Sequence, residues 1–362
     1  MPTRLSDSHH ASAADLEACR LLLKGGSRSF HAASLLLPKS LHQPAGALYA
    51  FCRLADDEID NAIDADAAPG SGQHGSPAAA LTRLRRRLDR AYAGAPMDHP
   101  VDRAFADVVR VHAMPRALPE ALLEGFAWDA EGRIYETIED VLAYAARVAG
   151  AVGTMMTVLM GKRDAATLAR ACDLGCAMQL SNIARDVGED ARVGRLYLPR
   201  TWLREEGLDP DAWLAEPYFN DAIGRVVERL LSVADELYVR ADAGIARLPM
   251  SCRPGIGAAR RLYAEIGHEV RRRGGDSIAS RAVVPGRRKL VLLARSVGAA
   301  ALPVRADLSA PMAETRFLVD AVTDTMARAA QVRRAGEGRV EWTLGLFARL
   351  RARDNADMAL SR

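Results

Sequence analysis

The stretch QLSNIARDVGED, residues 179–190, places three oxygen-bearing side chains along one face of a predicted helix. Asn182, Asp186 and Asp190 stand four residues apart, so their side chains project from the same side at steps of about 6 Å. Leu180, Ile183 and Val187 surround the stripe, which indicates that this part of the helix is buried. Because buried carboxylates require a cation or hydrogen-bond donors, the stripe predicts a polar site inside a helical fold.

A second acidic stretch, LADDEID at residues 54–60, carries carboxylates at four of its last five positions. Like charges on neighbouring helical positions cost about 0.2–0.5 kcal/mol per exposed pair, so a nearby cation is expected. Taken alone, such a short acidic run is better explained as a solvated helix face. The buried stripe changes that balance, because Asp56 and Asp60 also stand four residues apart and could oppose it across a cavity.

Two opposed faces of this kind would bind a hard divalent cation that prefers oxygen ligands, and Mg²⁺ fits best. Neither stretch contains histidine or cysteine, which disfavours zinc or iron. Arg53 and Arg185 accompany the two stretches, and Gln179 lies on the stripe of Asn182. Carboxylate, metal and guanidinium together suit a diphosphate, which cannot lie directly against aspartates.

Composition predicts an all-α protein in one helical bundle. The 362 residues are 49% hydrophobic and only 5% aromatic, and Ala, Leu and Arg recur throughout. The net charge is only +3, and all but four of the 49 basic residues are arginine, which gives no indication of a nucleic-acid partner. Five cysteines without zinc-type spacing, and no apolar run long enough to span a membrane, favour a reduced, cytoplasmic setting.

Helical periodicity, together with the Pro, Gly and short polar segments that interrupt it, predicts the order of the helices. Ser12 and Asp15 form a capping box that opens a helix ending at Gly26, and Pro44 precedes a second helix that ends just after the first acidic stretch. Residues 64–78 are expected to be a flexible loop. The predicted helices after the first are 45–61, 81–92, 101–112, 119–131, 139–160, 165–189, 217–247, 255–273, 311–335 and 339–355. We expect residues 12–300 to form one domain and residues 301–362 a helical extension packed on it.

Five segments in one order resemble the squalene/phytoene synthase family: residues 25–38, 49–60, 144–156, 177–199 and 259–284. Among the subgroups of this family, the residues of the five segments are most similar to those of bacterial phytoene synthases. The resemblance implies the isoprenoid-synthase helical bundle around a central cavity. It also implies Mg²⁺-dependent head-to-head condensation of two geranylgeranyl diphosphates to phytoene through a cyclopropyl diphosphate, with Mn²⁺ as a substitute and release of both diphosphates.

Two alternatives stay open at this point. One is a C30 squalene or dehydrosqualene synthase that uses farnesyl diphosphate, with NADPH required for squalene. The other is a non-catalytic relative that serves as an assembly subunit, although both acidic stretches are complete here. Contact with a membrane surface, peripheral to the inner membrane, is compatible with lipid substrates. Packing on the bundle is nevertheless the favoured use of the amphipathic residues 314–336.

The resemblance assigns roles residue by residue. One departure concerns Arg28, where the family often has lysine, which keeps the charge but not the geometry. The expected metal ligands are Asp56, Asp57, Asp60, Asn182, Asp186 and Asp190, and the expected diphosphate-binding or cavity residues are Ser27, Arg28, Phe30, Tyr49, Arg53, Gln179, Arg185, Tyr263 and Arg281. Of these, Asp56, Asp60, Asp186, Asp190 and Tyr263 are expected to be catalytic.

Overall fold

Helices account for all the regular structure in the part of the chain that is described here, and no strand occurs in it. A computed structural model describes residues 9–67, 76–302 and 304–327, without the side chains of Arg28 and residues 64–67. The helices are α1 Ala13–Gly26, α2 Arg28–Ser34, α3 Lys39–Ala67, α4 Pro77–Tyr92, α5 Pro100–Val111, α6 Ala117–Ala130, α7 Ile138–Ala145, α8 Ala151–Leu159, α9 Ala165–Arg192, α10 Arg200–Glu205, α11 Pro210–Ala215, α12 Asp221–Ile245, α13 Arg253–Arg272, α14 Gly286–Ala299 and α15, residues 316–327.

Helix α9 lies at the centre of the bundle, against α8, α12 and α13. Its contact with the helix before it is unusually close, because a side chain on Gly175 would overlap the carbonyl of Ala149. At that point the chain from α7 to α8 takes one π-helical turn, Ala146–Gly150. The small residues of the segment 144–156 therefore serve helix packing, and Ala149 also lines the central cavity.

The prediction for the second helix was wrong at both ends. Helix α3 begins at Lys39 and includes Pro44 in its second turn, where the proline removes a single backbone hydrogen bond. The face formed by Leu41, Ala45 and Leu48 is buried in the core and outweighs that loss. The helix also continues to Ala67, so the acidic stretch lies well before its end, and the first residues of the predicted loop are helical.

Among the described residues, four helices were not predicted from the sequence: the short α2, α10 and α11, and α14. The prediction for residues 311–335 is met over the described portion by a 3₁₀ turn at Ala313–Thr315 followed by α15. Leu318, Val319 and Val322 of α15 are buried in the main core. The rest of that prediction, and the helix expected at 339–355, lie outside the described residues.

One helical span, Ile138–Leu159, is long and apolar enough by length and composition to cross a membrane. The bundle buries 61% of the most apolar 18 residues of this span, as is typical of the core helix of a folded protein. Its apolar face is accounted for by packing within the fold.

Glu265 on α13 forms an ion pair with Arg288 on α14. The lowered pKa of this glutamate predicts a pH-dependent contribution to stability. Burial raises the pKa of this carboxyl, but hydrogen bonds from Arg288 and Arg272 outweigh that effect and lower the pKa from 4.5 to about 2. The stabilisation is therefore complete above pH 4.5 and is lost as the pH falls towards 2. We expect Glu265→Gln to lower the free energy of unfolding by about 1–3 kcal/mol at neutral pH, measured by urea denaturation.

The matched control is Glu17→Gln, which removes an exposed glutamate paired with Arg20 and should leave the urea midpoint nearly unchanged. A Glu265→Gln midpoint equal to that of the wild type at pH 7 would contradict this account of the α13–α14 contact.

Candidate functional site

A cavity of about 530 Å³ opens between α2, α3, α8, α9 and α13. One end is polar, and the remainder is mostly apolar, with Thr157, Thr167 and Arg170 also in its lining, and reaches residues of α8 and α12. This size and division suit a ligand with a charged head and a long hydrocarbon tail. The polar lining residues include Arg53, Asp56, Gln179, Asn182, Arg185, Tyr263 and Arg281, and the apolar ones include Leu48, Phe126, Val152, Met156, Met160 and Leu248.

On α3, the carboxylates of the first acidic stretch are engaged by arginines. Arg53 donates to Asp56 at 3.2 Å, and its Nη2 lies 2.5 Å from Asp57. Asp60, one turn further on, accepts from Arg195 at 3.0 Å. Burial and then the neighbouring Asp60 raise the pKa of Asp56 to about 6, because both disfavour a further negative charge.

On α9, the second stripe points to the same polar end. Asp186 accepts from Arg185 at 2.7 Å, and Arg281 Nε lies 2.9 Å from Asp186 Oδ1. Burial and then Asp186 raise the pKa of Asp190 to about 7. The Oδ1 atom of Asn182 is buried and has no hydrogen-bond partner within the described structure.

The two acidic faces lie at the same polar end of the cavity, because Asp56 and Asn182 both line it. Arg195 joins them, because its guanidinium binds Asp60 while its backbone N–H donates to the carbonyl of Asp190 at 2.9 Å. The charge of Asp129 contributes to the raised pKa values of both Asp56 and Asp190, so this carboxylate lies near both stretches.

Asp129 is a site residue that the sequence analysis missed. It lies near the end of α6 and accepts hydrogen bonds from Tyr144 at 2.8 Å and Tyr197 at 2.7 Å. Burial raises the pKa of its carboxyl to about 6, although the two hydroxyl donors act in the opposite direction. Its surroundings in sequence, FAWDAEG, have no spacing that distinguishes it from an ordinary helix-terminal aspartate.

Arg281 reaches the site because its loop docks on α9. The Gly188 N–H donates to the carbonyl of Ser277 at 3.1 Å, and the Ser277 hydroxyl donates to the carbonyl of Ala184 at 2.6 Å. A side chain on Gly188 would overlap Ile278, so only glycine permits this approach. The prediction that Arg281 joins the site is consistent with this placement.

Aromatic rings form one wall of the cavity beside the polar end. The ring centroid of Phe30 lies 6.1 Å from that of Tyr49 and 5.3 Å from that of Tyr263. Ser27 caps α2 by accepting from the Phe30 N–H, and it also hydrogen-bonds Tyr263. Burial raises the pKa of Tyr263 to about 12, so it is a neutral donor at physiological pH. The side chain of Arg28 lies outside the described part of the chain.

The donor set suits a divalent cation. Within the described residues, no three acidic, histidine or cysteine side chains converge as a complete ligand set, and the arginines named above engage four of the carboxylates instead. The unpartnered Asn182 oxygen and the raised pKa values of Asp56 and Asp190 reflect a local deficit of positive charge. Because every available donor atom is oxygen, Mg²⁺ or Mn²⁺ fits this site better than a softer metal.

The raised pKa values predict how metal-free protein responds to pH. Between the unfolded value of 3.8 and the folded value of about 7, the folded state holds a proton on Asp190 that the unfolded state has released. Stability should therefore fall as the pH rises through this window, and Mg²⁺ should restore it more at pH 8 than at pH 6. Thermal unfolding across a Mg²⁺ titration measures the effect. An equal Mg²⁺ shift at both pH values would contradict it.

The fold and the site together define a class: an all-α isoprenoid-synthase bundle whose cavity presents acidic and guanidinium groups at one end. The comparisons agree. The family model for squalene/phytoene synthase matches residues 23–289. A phytoene synthase from Cereibacter sphaeroides is 53% identical over 352 residues, covering 95% of each chain, and a 15-cis-phytoene synthase from Pantoea ananas is 40% identical over 76% of this chain and 88% of its own.

Solved structures show the same architecture. A ligand-bound dehydrosqualene synthase is 32% identical, has a TM-score of 0.70, and is matched over 79% of this chain and 96% of its own. A squalene synthase from Alicyclobacillus acidocaldarius is 26% identical with a TM-score of 0.64, over 72% and 94% of the two chains. The chain belongs to the squalene/phytoene synthase family and is a prenyltransferase.

Proposed function

We propose that the protein condenses two molecules of geranylgeranyl diphosphate head to head, forming phytoene and releasing two diphosphates. The observation that carries this proposal is the convergence of acidic and arginine side chains from α3, α9 and the loop before α14 on one end of an apolar cavity. Relatives at 53% and 40% identity over most of the chain bear the name phytoene synthase, which supports the C40 product.

The residues at the polar end have separate tasks in this reaction. Asp56, Asp60, Asn182, Asp186 and Asp190, supported by Asp57, would hold Mg²⁺, which supplies Lewis-acid stabilisation of the departing diphosphate when it is bound. Arg53, Arg185 and Arg281 would contact diphosphate oxygens directly, since their guanidiniums already lie at the cavity wall. Gln179 and Tyr263 would orient the same group as neutral donors. Each aspartate then serves as a metal ligand.

The apolar part of the cavity protects the allylic cation that forms when diphosphate leaves. Phe30 and Tyr49 line the cavity beside the polar end, and an aromatic ring face can stabilise a cation by about 0.5–2 kcal/mol. The aliphatic lining excludes water, which would otherwise capture the cation before the second prenyl chain attacks.

Substrate length is the sharpest test of the proposed product. We expect purified protein with Mg²⁺ to convert the C20 diphosphate to a C40 hydrocarbon and to use the C15 diphosphate poorly, measured by product chromatography with and without NADPH. Omission of Mg²⁺ is the control for non-enzymatic solvolysis. Exclusive formation of a C30 product would replace this proposal with the dehydrosqualene synthase alternative, which the 32% identical structural neighbour represents.

The proposal extends to organisation and location. We propose that residues 12–300 form the catalytic domain and that residues 301–362 pack on it as an extension, which the burial of Leu318 and Val322 in the core supports. We propose a cytoplasmic setting, because all five cysteines are free thiols.

A further inference from the structure

The outer face of α14 exposes large apolar side chains, although the helix already has a buried side. Leu290 is 68% exposed, Val297 is 55% exposed and Leu302, just beyond the helix, is 61% exposed. Their spacing of seven and five residues puts them on the solvent side over successive turns. We call this set, with its flanking basic residues, the α14 surface: Arg287, Leu290, Val291, Arg295, Val297 and Leu302.

The charge around the α14 surface has one sign. Residues 277–306 contain six arginines and lysines and no aspartate or glutamate. Arg281 forms an ion pair with Asp186, and Arg288 forms one with Glu265. Arg287 and Arg295 are exposed and have no ion-pair partner within residues 9–67, 76–302 and 304–327. An exposed helix face that combines leucine and valine with unpaired arginines suits the boundary between anionic headgroups and acyl chains.

The charge also argues against a second copy of the chain as the occupant. A twofold interface built on this face would bring the α14 surfaces of both copies together, so that the unpaired arginines of one copy would face those of the other. Such like-charge contacts oppose association, whereas an anionic bilayer offers the opposite charge over a continuous plane.

Helix α14, which carries the α14 surface, lies close to the lining of the cavity. Leu293, on the inner side of α14, packs with Leu36 against a small cluster of Ala33, Ala258 and Ala259. Ala33 and Ala259 also line the cavity, so a single layer of alanines separates the cavity from the helix that carries the α14 surface.

We propose that the α14 surface docks the protein on an anionic lipid bilayer, with α14 turned towards the membrane. Leu290, Val297 and Leu302 enter the acyl boundary, while Arg287 and Arg295 contact lipid phosphates. The value of this orientation rests on the proposed function, since substrate tails and a C40 hydrocarbon would then exchange with the bilayer over a short path. Docking itself needs no catalysis and is tested separately.

The test is flotation of the full chain with phosphatidylcholine vesicles, with and without phosphatidylglycerol. We expect flotation only with the anionic vesicles, weakened by high salt. The double variant Leu290→Asp/Val297→Asp should lower the partition coefficient by about tenfold or more, and Arg287→Gln/Arg295→Gln should lower it to a similar extent. The matched control is Val111→Asp/Val239→Asp, which adds the same charge at exposed valines of α5 and α12. It should float like the wild type.

A fluorophore on Val297→Cys identifies the occupant. Its emission should shift to the blue only when anionic vesicles are added. A blue-shifted label in the protein alone would overturn the proposal, because residues 328–362 or a second copy would then cover the face, and light scattering tells these apart. Equal loss of flotation in the control pair, or no flotation of the wild type, would also overturn it. Turnover in detergent should be unchanged in the Leu290→Asp/Val297→Asp variant, which separates docking from failure of the proposed reaction.

Discussion

Asp186→Asn should lower turnover by about a thousandfold while the helical fold stays intact. The substitution keeps the size of the side chain but removes the charge at the middle of the α9 stripe, where Arg185 and Arg281 converge. A thousandfold loss corresponds to about 4 kcal/mol of transition-state stabilisation, which is the scale expected for a group that holds charge against a departing anion. The measurement is diphosphate release at saturating substrate, with circular dichroism to follow the fold.

The control for Asp186→Asn is Asp242→Asn. Asp242 lies on α12 and accepts two hydrogen bonds from Arg260 at 2.9 Å, so it offers the same arginine pairing without a place in the cavity. Its turnover should match that of the wild type. Raising Mg²⁺ should recover part of the activity of Asp186→Asn if the lost group is a metal ligand. Full activity of Asp186→Asn at ordinary Mg²⁺ would remove Asp186 from the proposed metal site.

Asp129→Asn should have the next largest effect, a fall in turnover of about 10- to 100-fold with a rise in the Mg²⁺ concentration needed for half-maximal activity. Asp129 supplies negative charge near both acidic faces, and it fixes the hydroxyls of Tyr144 and Tyr197. Asparagine keeps the shape of the side chain but removes its charge. The electrostatic attraction that helps to position Arg195 between the two acidic faces should therefore weaken. A purely structural role would lower stability without moving the Mg²⁺ dependence.

The same aromatic cluster provides a control pair for Asp129. The Tyr197 hydroxyl donates to Asp129 at 2.7 Å, whereas the Tyr135 hydroxyl is buried without a hydrogen-bond partner among the described residues. The Tyr135 ring lies 5.6 Å from that of Tyr197, so both substitutions alter one cluster by a single oxygen. Tyr197→Phe should share the raised Mg²⁺ requirement in milder form, and Tyr135→Phe should not. Equal behaviour of the two variants would contradict the role given to Asp129.

Local sequence determined much of this protein. The capping box at Ser12, the spacing of Asn182, Asp186 and Asp190, and the apolar positions between them act within a few residues of chain. Such patterns fix where a helix begins and which side chains share a face, because helical geometry repeats every 3.6 residues. The same local reasoning failed at Pro44, where burial of the neighbouring face outweighed a weak helix-breaking signal.

Tertiary structure decided the relations between segments far apart in the chain. Asp129 joins the site through tyrosines 15 and 68 residues away, Arg195 reaches Asp60 across 135 residues, and Arg281 reaches Asp186 across 95. No local pattern encodes these contacts, because they depend on how closely helices approach one another. Glycine at 175 and 188 sets those approaches through the side chain it lacks, so their meaning becomes visible only when the opposing backbone is in place.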